Sequence, residues 1–124
     1  MSELARFLFQ RSHYSPTNGA LKPGAFLPKD GHTSVFDIIE LDRTTIRTIG
    51  DGVGVTRSQA LHGWGEFLHA HVTAAGLKFI RDDQPPRHGN LVGWPPDGPE
   101  HKAQAKAIAV ALARKAELVL VDAA

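Results

Sequence analysis

Short apolar stretches separated by glycine and proline predict a set of β-strands. We predict strands at residues 6–9, 33–41, 59–68 and 77–80. Residues 33–41 give the clearest pattern, because β-branched and aromatic side chains are dense there and a glycine turn precedes them. The proline-rich residues 22–28 favour an edge strand or another extended segment. Residues 29–32 predict a turn.

A short helix is predicted directly after residues 33–41. Asp42 is placed to cap its first turn, and Ile46 and Ile49, three residues apart, share one face. Gly50 suits the position just beyond a helix end. We therefore expect the helix to end there and residues 51–54 to form a loop.

Residues 57–75 admit two interpretations. One continuous helix would have an apolar stripe, but Gly63 and Gly65 inside it would each cost about 1 kcal/mol. We prefer the strand at 59–68 followed by a second short helix. That helix ends near Ala75, with Gly76 closing it.

The C-terminal part of the chain predicts the longest helix. Pro99 suits the first helical position and Glu100 complements the helix N-terminus, and the helix then continues to about Glu117. Its expected buried face consists of Ile108, Ala111, Leu112 and Val119. Residues 118–121 fit either a closing strand or an apolar extension of this helix.

These elements predict an α+β fold in a single domain spanning residues 1–124. We expect a small, mostly antiparallel sheet with the C-terminal helix packed on one face and two short helices, because regular strand–helix alternation is missing. A chain of 124 residues with 42% hydrophobic content can bury a core without metal or disulfide support. The absence of cysteine excludes disulfides, thiolate nucleophiles and cysteine-type zinc sites.

The net charge and the hydropathy of the chain indicate what to expect of nucleic-acid and membrane partners. The formal net charge of +1 does not indicate a strongly basic nucleic-acid-binding protein. No apolar run approaches the roughly 18 residues of a membrane span. The first residues also lack the basic and apolar regions of a signal peptide. We therefore expect a cytoplasmic protein without a membrane partner, and we predict no cofactor.

The segment between the last two proline breaks carries the first candidate site. Arg87 can hold a carboxylate or phosphate through two parallel hydrogen bonds, and His88 can transfer a proton. Asn90 offers a donor and an acceptor, and Trp94 could stack on a base or sugar. The same residues also suit an irregular structural loop in which Trp94 closes the edge of the core.

A second candidate follows the first predicted strand, in the loop at residues 11–19. Arg11, His13 and Tyr14 place a cation, a proton carrier and a hydroxyl within four residues. If this loop met the first candidate, His13 and His88 would act as base and acid at a metal-free phosphate site. The alternative is a solvated loop without a role.

A metal site is the third candidate, and we do not predict one. His69 and His71 would share one face of a strand, and His62 with the acidic pair at 82–83 could complete a site. On a helix, however, the two histidines would diverge by about 200°. This stretch lies where a strand is expected to give way to a helix.

Three stretches together resemble a group of short hypothetical bacterial proteins. They are residues 7–15 with Arg-Ser-His-Tyr, residues 22–36 with Ala-Phe-Leu-Pro and Ser-Val-Phe, and residues 87–95 with Arg-His-Gly-Asn-Leu-Val-Gly-Trp-Pro. The resemblance implies a bacterial or phage-related source and a self-contained protein of this length. It implies no activity.

Two hypotheses for function follow. The first is a small accessory or interaction protein that binds a protein or nucleic-acid partner, with defence or regulation as its context. The second is a metal-independent enzyme or binder of a phosphorylated or nucleotide-containing substrate, acting through Arg11, His13, Arg87, His88 and Asn90. One concave pocket would favour the second hypothesis, and an exposed apolar patch the first. A homodimer is compatible with a small domain, because closed dimers are common.

Overall fold

A six-stranded antiparallel sheet forms the centre of the protein, and the computed structural model describes residues 2–121. The strands are β1 (Leu4–Leu8), β2 (Tyr14–Ser15), β3 (Ala20–Leu21), β4 (Thr33–Asp37), β5 (Gly63–Phe67), β6 (Lys78–Arg81), β7 (His88–Val92) and β8 (Glu117–Leu120). The α-helices are α1 (Arg43–Arg57), α2 (His69–Ala74) and α3 (Lys102–Lys115). The order in the large sheet is β6-β7-β4-β1-β5-β8, and β2 and β3 form a separate ribbon. The predicted α+β class is confirmed.

Each face of the sheet has its own apolar layer. Leu4 and Leu8 of β1 pack into the layer that contains Leu112 of α3, which we call the α3 face. Ala5 and Phe7 alternate with them and pack into the opposite layer, the α1 face. β1 is therefore buried on both sides. None of the helices within residues 2–121 is long and apolar enough to span a bilayer.

The helix α1 begins as predicted but continues far beyond the expected end. Asp42 caps it by accepting a hydrogen bond from the Thr45 backbone N–H at 2.8 Å. The expectation that it ends at Gly50, with a loop at 51–54, is wrong. A Cβ at Gly50 would lie 2.8 Å from side-chain atoms of Phe7. The glycine therefore permits close packing of the helix on the sheet, which outweighs its poor helix propensity.

The strand predicted at 59–68 is confirmed in part, because β5 covers Gly63–Phe67 and residues 59–62 are not in a strand. The helix predicted after it is confirmed. β5 and α2 occupy this region, and α2 is followed by Gly76 in the left-handed conformation, with φ of 82°. The strand predicted at 77–80 forms β6.

Two segments differ from their predictions. Residues 22–28 contain a 3-10 turn at Pro23–Ala25 rather than an extended strand, and the turn buries Ala25 and Phe26. Residues 87–95 are not irregular throughout, because β7 pairs along its length with both β4 and β6. Its apolar centre is only Leu91, so the pairing of neighbouring strands stabilises β7 where its own pattern is weak.

The C-terminal helix and its neighbours complete the fold. Pro99 begins a 3-10 turn, Pro99–His101, that leads into α3. The buried residues of α3 are Ala109, Leu112 and Ala113. The prediction that Ala111 is buried is wrong, because the contact face is centred on these three residues and Ala111 lies outside it, exposed to solvent. Val119 is buried, but it belongs to β8 and not to the helix. The two interpretations of residues 118–121 are decided in favour of a strand, β8, which pairs with β5.

Candidate functional site

A cavity opens where β1 and β4 separate. Their register covers Leu4↔Asp37 and Ala5↔Phe36. Beyond Ala5 the side chain of Arg6 connects the two segments, with Nη1 donating to the Ser34 carbonyl at 3.0 Å. The cavity there measures about 690 Å³, and we call it the β1–β4 cavity. Its lining comprises Arg6, Gln10, His13, Gly24, Leu27, Lys29, Asp30, His32, Thr33, Ser34, Arg57 and Gln59.

Arg6 is the most deeply placed charge of the lining. It lies in the middle of a strand that is buried on both faces, and its Nε donates to the Ala25 carbonyl at 2.7 Å. Burial, with a smaller effect of nearby Arg57, lowers the pKa of Arg6 to about 10, so the guanidinium is charged at neutral pH. No carboxylate within residues 2–121 forms an ion pair with it. A buried charge without a counterion is costly, and an anionic ligand would compensate it.

Arg57 supplies a second guanidinium. It is the last residue of α1, and its guanidinium carbon lies 5.2 Å from the centre of the Phe9 ring. This cation–π contact gives the flexible side chain a preferred position. The left-handed residue Ser58, with φ of 55°, turns the chain immediately afterwards, and Gln59 then joins the lining. Arg57 also makes no ion pair in the described part of the chain.

His13 lies beside these arginines in a half-buried position. The turn that carries it is held by a hydrogen bond from the Lys22 backbone N–H to the His13 carbonyl at 2.9 Å. Burial, and secondarily the charge of Arg6, lowers the pKa of His13 below its usual 6.5. His13 is therefore neutral at pH 7 and is a proton acceptor within the cavity.

The predicted turn at residues 29–32 is confirmed and forms part of the lining. Lys29 and His32 exchange backbone hydrogen bonds of 2.9 and 3.2 Å. Asp30 and Gly31 both have positive φ, as the tightest hairpin turns require. Asp30 is the acidic residue of the lining, against three side chains that are cationic at neutral pH. The β1–β4 cavity is therefore electropositive.

The structure does not bring His13 and His88 together. His88 lines a different cavity, of about 630 Å³, and its Nδ1 is hydrogen-bonded to Asp82 Oδ1 at 2.7 Å. Asn90 donates from Nδ2 to Asp82 Oδ2 at 3.3 Å. The hydrogen bond from the Gln84 backbone N–H lowers the pKa of Asp82 most, and the bond from Asn90 adds a smaller effect. A joint base-and-acid role for the two histidines has no support in this geometry.

The remaining residues of the two sequence-based candidates occupy other environments. The Arg87 Nη1 lies 3.7 Å from Asp37 Oδ1, so a carboxylate already pairs with this cation. Arg11 is exposed in a 3-10 turn, and the Tyr14 hydroxyl lies 2.9 Å from His62 Nδ1. Trp94 is 9% exposed in the core, where its Nε1 donates to the Leu91 carbonyl at 3.2 Å. The indole is therefore buried away from any stacking ligand.

The histidines considered for metal binding have protein partners. His69 and His71 belong to α2, so their side chains diverge as on any helix. His71 Nδ1 accepts a hydrogen bond from the Leu68 backbone N–H at 3.1 Å. Among residues 2–121, no group of three or more histidine, aspartate or glutamate side chains could hold a metal ion.

Sequence reasoning did not select Arg6 and Arg57, which dominate the charge of the cavity. A signal for Arg6 existed, because it interrupts the apolar stretch Leu4–Leu8 and a charge in a doubly buried strand needs a partner. Arg57 gave no such signal. It lies seven residues beyond the glycine at which the helix was expected to end.

Comparison with known proteins assigns neither a family nor a function to this chain. No protein-family model matches the chain, and no characterised protein or solved structure shows significant similarity to it. Function is therefore inferred from the chemistry of the β1–β4 cavity.

Sulfate binding in this cavity should strengthen as the pH falls from 7.5 to 5.5. Sulfate remains a dianion throughout, whereas His13 gains a proton beside Arg6 and adds a positive charge. If the bound anion raises the pKa of His13 by one unit, the affinity rises about tenfold. Isothermal titration calorimetry at several pH values measures this change.

The His13→Asn variant is the control for this pH dependence, because the chain contains six other histidines. Without a bound anion, the lowered pKa of His13 reduces the free energy of unfolding at acidic pH. This contribution to stability is fully present above pH 6.5. It is lost as the pH falls below that value, because the unfolded chain binds the proton more readily than the folded chain. Sulfate should offset that loss in the native protein. An equal pH dependence in His13→Asn would contradict the assignment.

Proposed function

We propose that the protein binds a small phosphate-bearing ligand in the β1–β4 cavity. The observation that carries this proposal is the state of Arg6, which is charged, mostly buried and hydrogen-bonded to two backbone carbonyls without a carboxylate partner within residues 2–121. The two carbonyl oxygens accept from Nε and Nη1, which is two of the five N–H donors, and they leave the charge uncompensated. An anion in the adjacent cavity would supply the missing negative charge.

The chemistry of the lining favours phosphate over a simple halide. Arg6 and Arg57 present planar donor groups that match the oxygens of a phosphate, and Lys29 adds a flexible ammonium group. His13 accepts a proton from, or donates one to, a phosphate oxygen according to pH. A volume of about 690 Å³ is within the range of small-molecule sites.

The interaction-protein hypothesis receives less support. The exposed large apolar residues within residues 2–121 are Leu27, Val55 and Ile80, which belong to three separate segments of the fold. A surface for a protein partner would more often group such residues into one patch. A protein or nucleic-acid partner, a homodimer, a bacterial source and a cytoplasmic location stay predictions from the sequence.

A titration with inorganic phosphate and sulfate tests the proposal. Two-dimensional amide NMR of the native protein should show saturable shifts in the segments that carry Arg6, His13 and Arg57. The exposed Arg57 tolerates substitution, and Arg57→Gln should weaken binding by about 1.5 kcal/mol, or roughly tenfold. The dissociation constants are fitted from the same spectra.

The matched control is Arg114→Gln, which removes the same charge from the exposed surface of α3. Its phosphate affinity should equal that of the native protein. The proposal is wrong if the native protein shows no saturable shifts, or if both variants lose affinity equally. The second result would indicate attraction by net charge alone.

A further inference from the structure

A second cavity, of about 630 Å³, lies beside α1 on the α1 face. It is formed because α1 packs over the part of the sheet that contains β1 and β5, and leaves Phe36 of β4 and His88 of β7 beside it. We call it the apolar cavity. Its main apolar lining is Phe36, Ile49, Val53, Pro85 and Pro86.

The apolar cavity adjoins the β1–β4 cavity. Arg57 lines both cavities. Along β4, Ser34 lines the β1–β4 cavity and Phe36 the apolar cavity, and these alternate residues lie on the same face of the sheet. A ligand whose charged group contacts Arg57 can therefore extend into the apolar cavity, along Ile49 and Val53.

The walls of the apolar cavity have the shape and polarity that suit a flat ring. Phe36, which is 4% exposed, meets His88 edge to face in one wall, with 5.2 Å between the ring centres. Two of the polar residues, Thr48 and Thr56, have hydroxyls that already donate to helix carbonyls, at 3.0 and 3.2 Å. Arg87 and His88, which also line the cavity, are hydrogen-bonded to the Asp37 carbonyl and to Asp82. The surface left for the body of a ligand is mainly that of the apolar lining, and a planar ring fits it better than a sugar-like body that needs many hydrogen-bond partners.

We propose that the ligand is an aromatic phosphate, with its phosphate in the β1–β4 cavity and its planar ring in the apolar cavity. This inference rests on the proposed function and adds the class of ligand to it. Arg57 would lie at the junction, where its guanidinium contacts the phosphate. The same guanidinium makes the cation–π contact with the Phe9 ring.

Three probes separate the two parts of the ligand: inorganic phosphate, methyl phosphate and 1-naphthyl phosphate. The native protein should bind 1-naphthyl phosphate at least about tenfold more tightly than methyl phosphate, because only the former buries a ring. Amide and methyl NMR shifts specific to the naphthyl compound should appear at Ile49, Val53 and His88. Dissociation constants from calorimetry give the ratio.

Gly52→Leu tests where the ring binds. Gly52 lines the apolar cavity, and a Cβ there meets nothing within 4 Å, so the larger side chain fills the space without displacing the helix. The variant should lose the preference for 1-naphthyl phosphate and keep the affinity for inorganic phosphate. Val55→Leu is the control, because Val55 is on α1, is 81% exposed and does not line this cavity.

The outcomes distinguish the two proposals. If the native protein binds inorganic phosphate but shows no preference for 1-naphthyl phosphate, the inference fails and the proposed function stands. It also fails if the preference survives in Gly52→Leu, or if the naphthyl-specific shifts lie elsewhere. If the native protein binds none of the three probes, both proposals are overturned.

Discussion

Replacing Arg6 with methionine should weaken sulfate and phosphate binding by about 1.5–3 kcal/mol, or roughly 10- to 150-fold. Arg6 is the least exposed cation of the lining, whereas Arg57 and Lys29 are exposed to solvent and cannot replace it. The carbonyls of Ala25 and Ser34 would also lose their donors. We expect the free energy of unfolding to fall by about 1–3 kcal/mol, measured by urea denaturation.

Arg6→Lys separates the loss of charge from the loss of structure. Lysine keeps the positive charge but cannot donate in the fork geometry of a guanidinium. We expect intermediate anion affinity and a smaller loss of stability. Arg114→Met, on the exposed surface of α3, is the control for the substitution itself. Native affinity in a folded Arg6→Met protein would exclude the β1–β4 cavity as the anion site.

Gly54→Ala should destabilise the protein by about 1–3 kcal/mol, although alanine is normally the better helix residue. A Cβ at Gly54 would lie 2.5 Å from the backbone oxygen of Gln59 and 3.3 Å from the Phe9 ring. The oxygen belongs to the backbone, so the turn after α1 must move. Because that turn positions Arg57 and Gln59, the affinity for sulfate should fall as well.

Gly52→Ala is the matched control, two residues away on the same helix. A Cβ at this position meets nothing within 4 Å, so only the gain in helix propensity remains. We expect stabilisation of about 0.5–1 kcal/mol. Thermal and urea denaturation of both variants measure the difference. If the two substitutions shifted stability in the same direction, the close approach at Gly54 would be refuted.

The candidate site was predictable only in part. Sequence reasoning selected His13, which lines the β1–β4 cavity, because a histidine in a polar loop is a recognisable chemical signal. It also selected Arg87 and Asn90, which the structure pairs with Asp37 and Asp82. Such pairing depends on which strands are neighbours. A linear pattern of residue types does not contain that information.

Features that arise from residues close together in the chain could be predicted from the amino-acid sequence. A run of β-branched and aromatic residues after a glycine turn is enough to locate β4, although the strand ends at Asp37 and not at Leu41. A carboxylate before α1 is enough to define its start, since Asp42 satisfies a free N–H three residues later. Gly76 likewise ends α2, because glycine tolerates the left-handed conformation there.

Features that depend on contacts between distant residues arise only in the folded protein. α1 continues through Gly50 and Gly54 because packing against Phe7 and Phe9 outweighs local propensity. β7 forms because β4 and β6 supply hydrogen bonds on both sides. The β1–β4 cavity unites Arg6, His13 and Arg57, from three separate elements, because the two central strands diverge. Its electropositive character is therefore a property of the folded arrangement, in which charges far apart in sequence come close together in space.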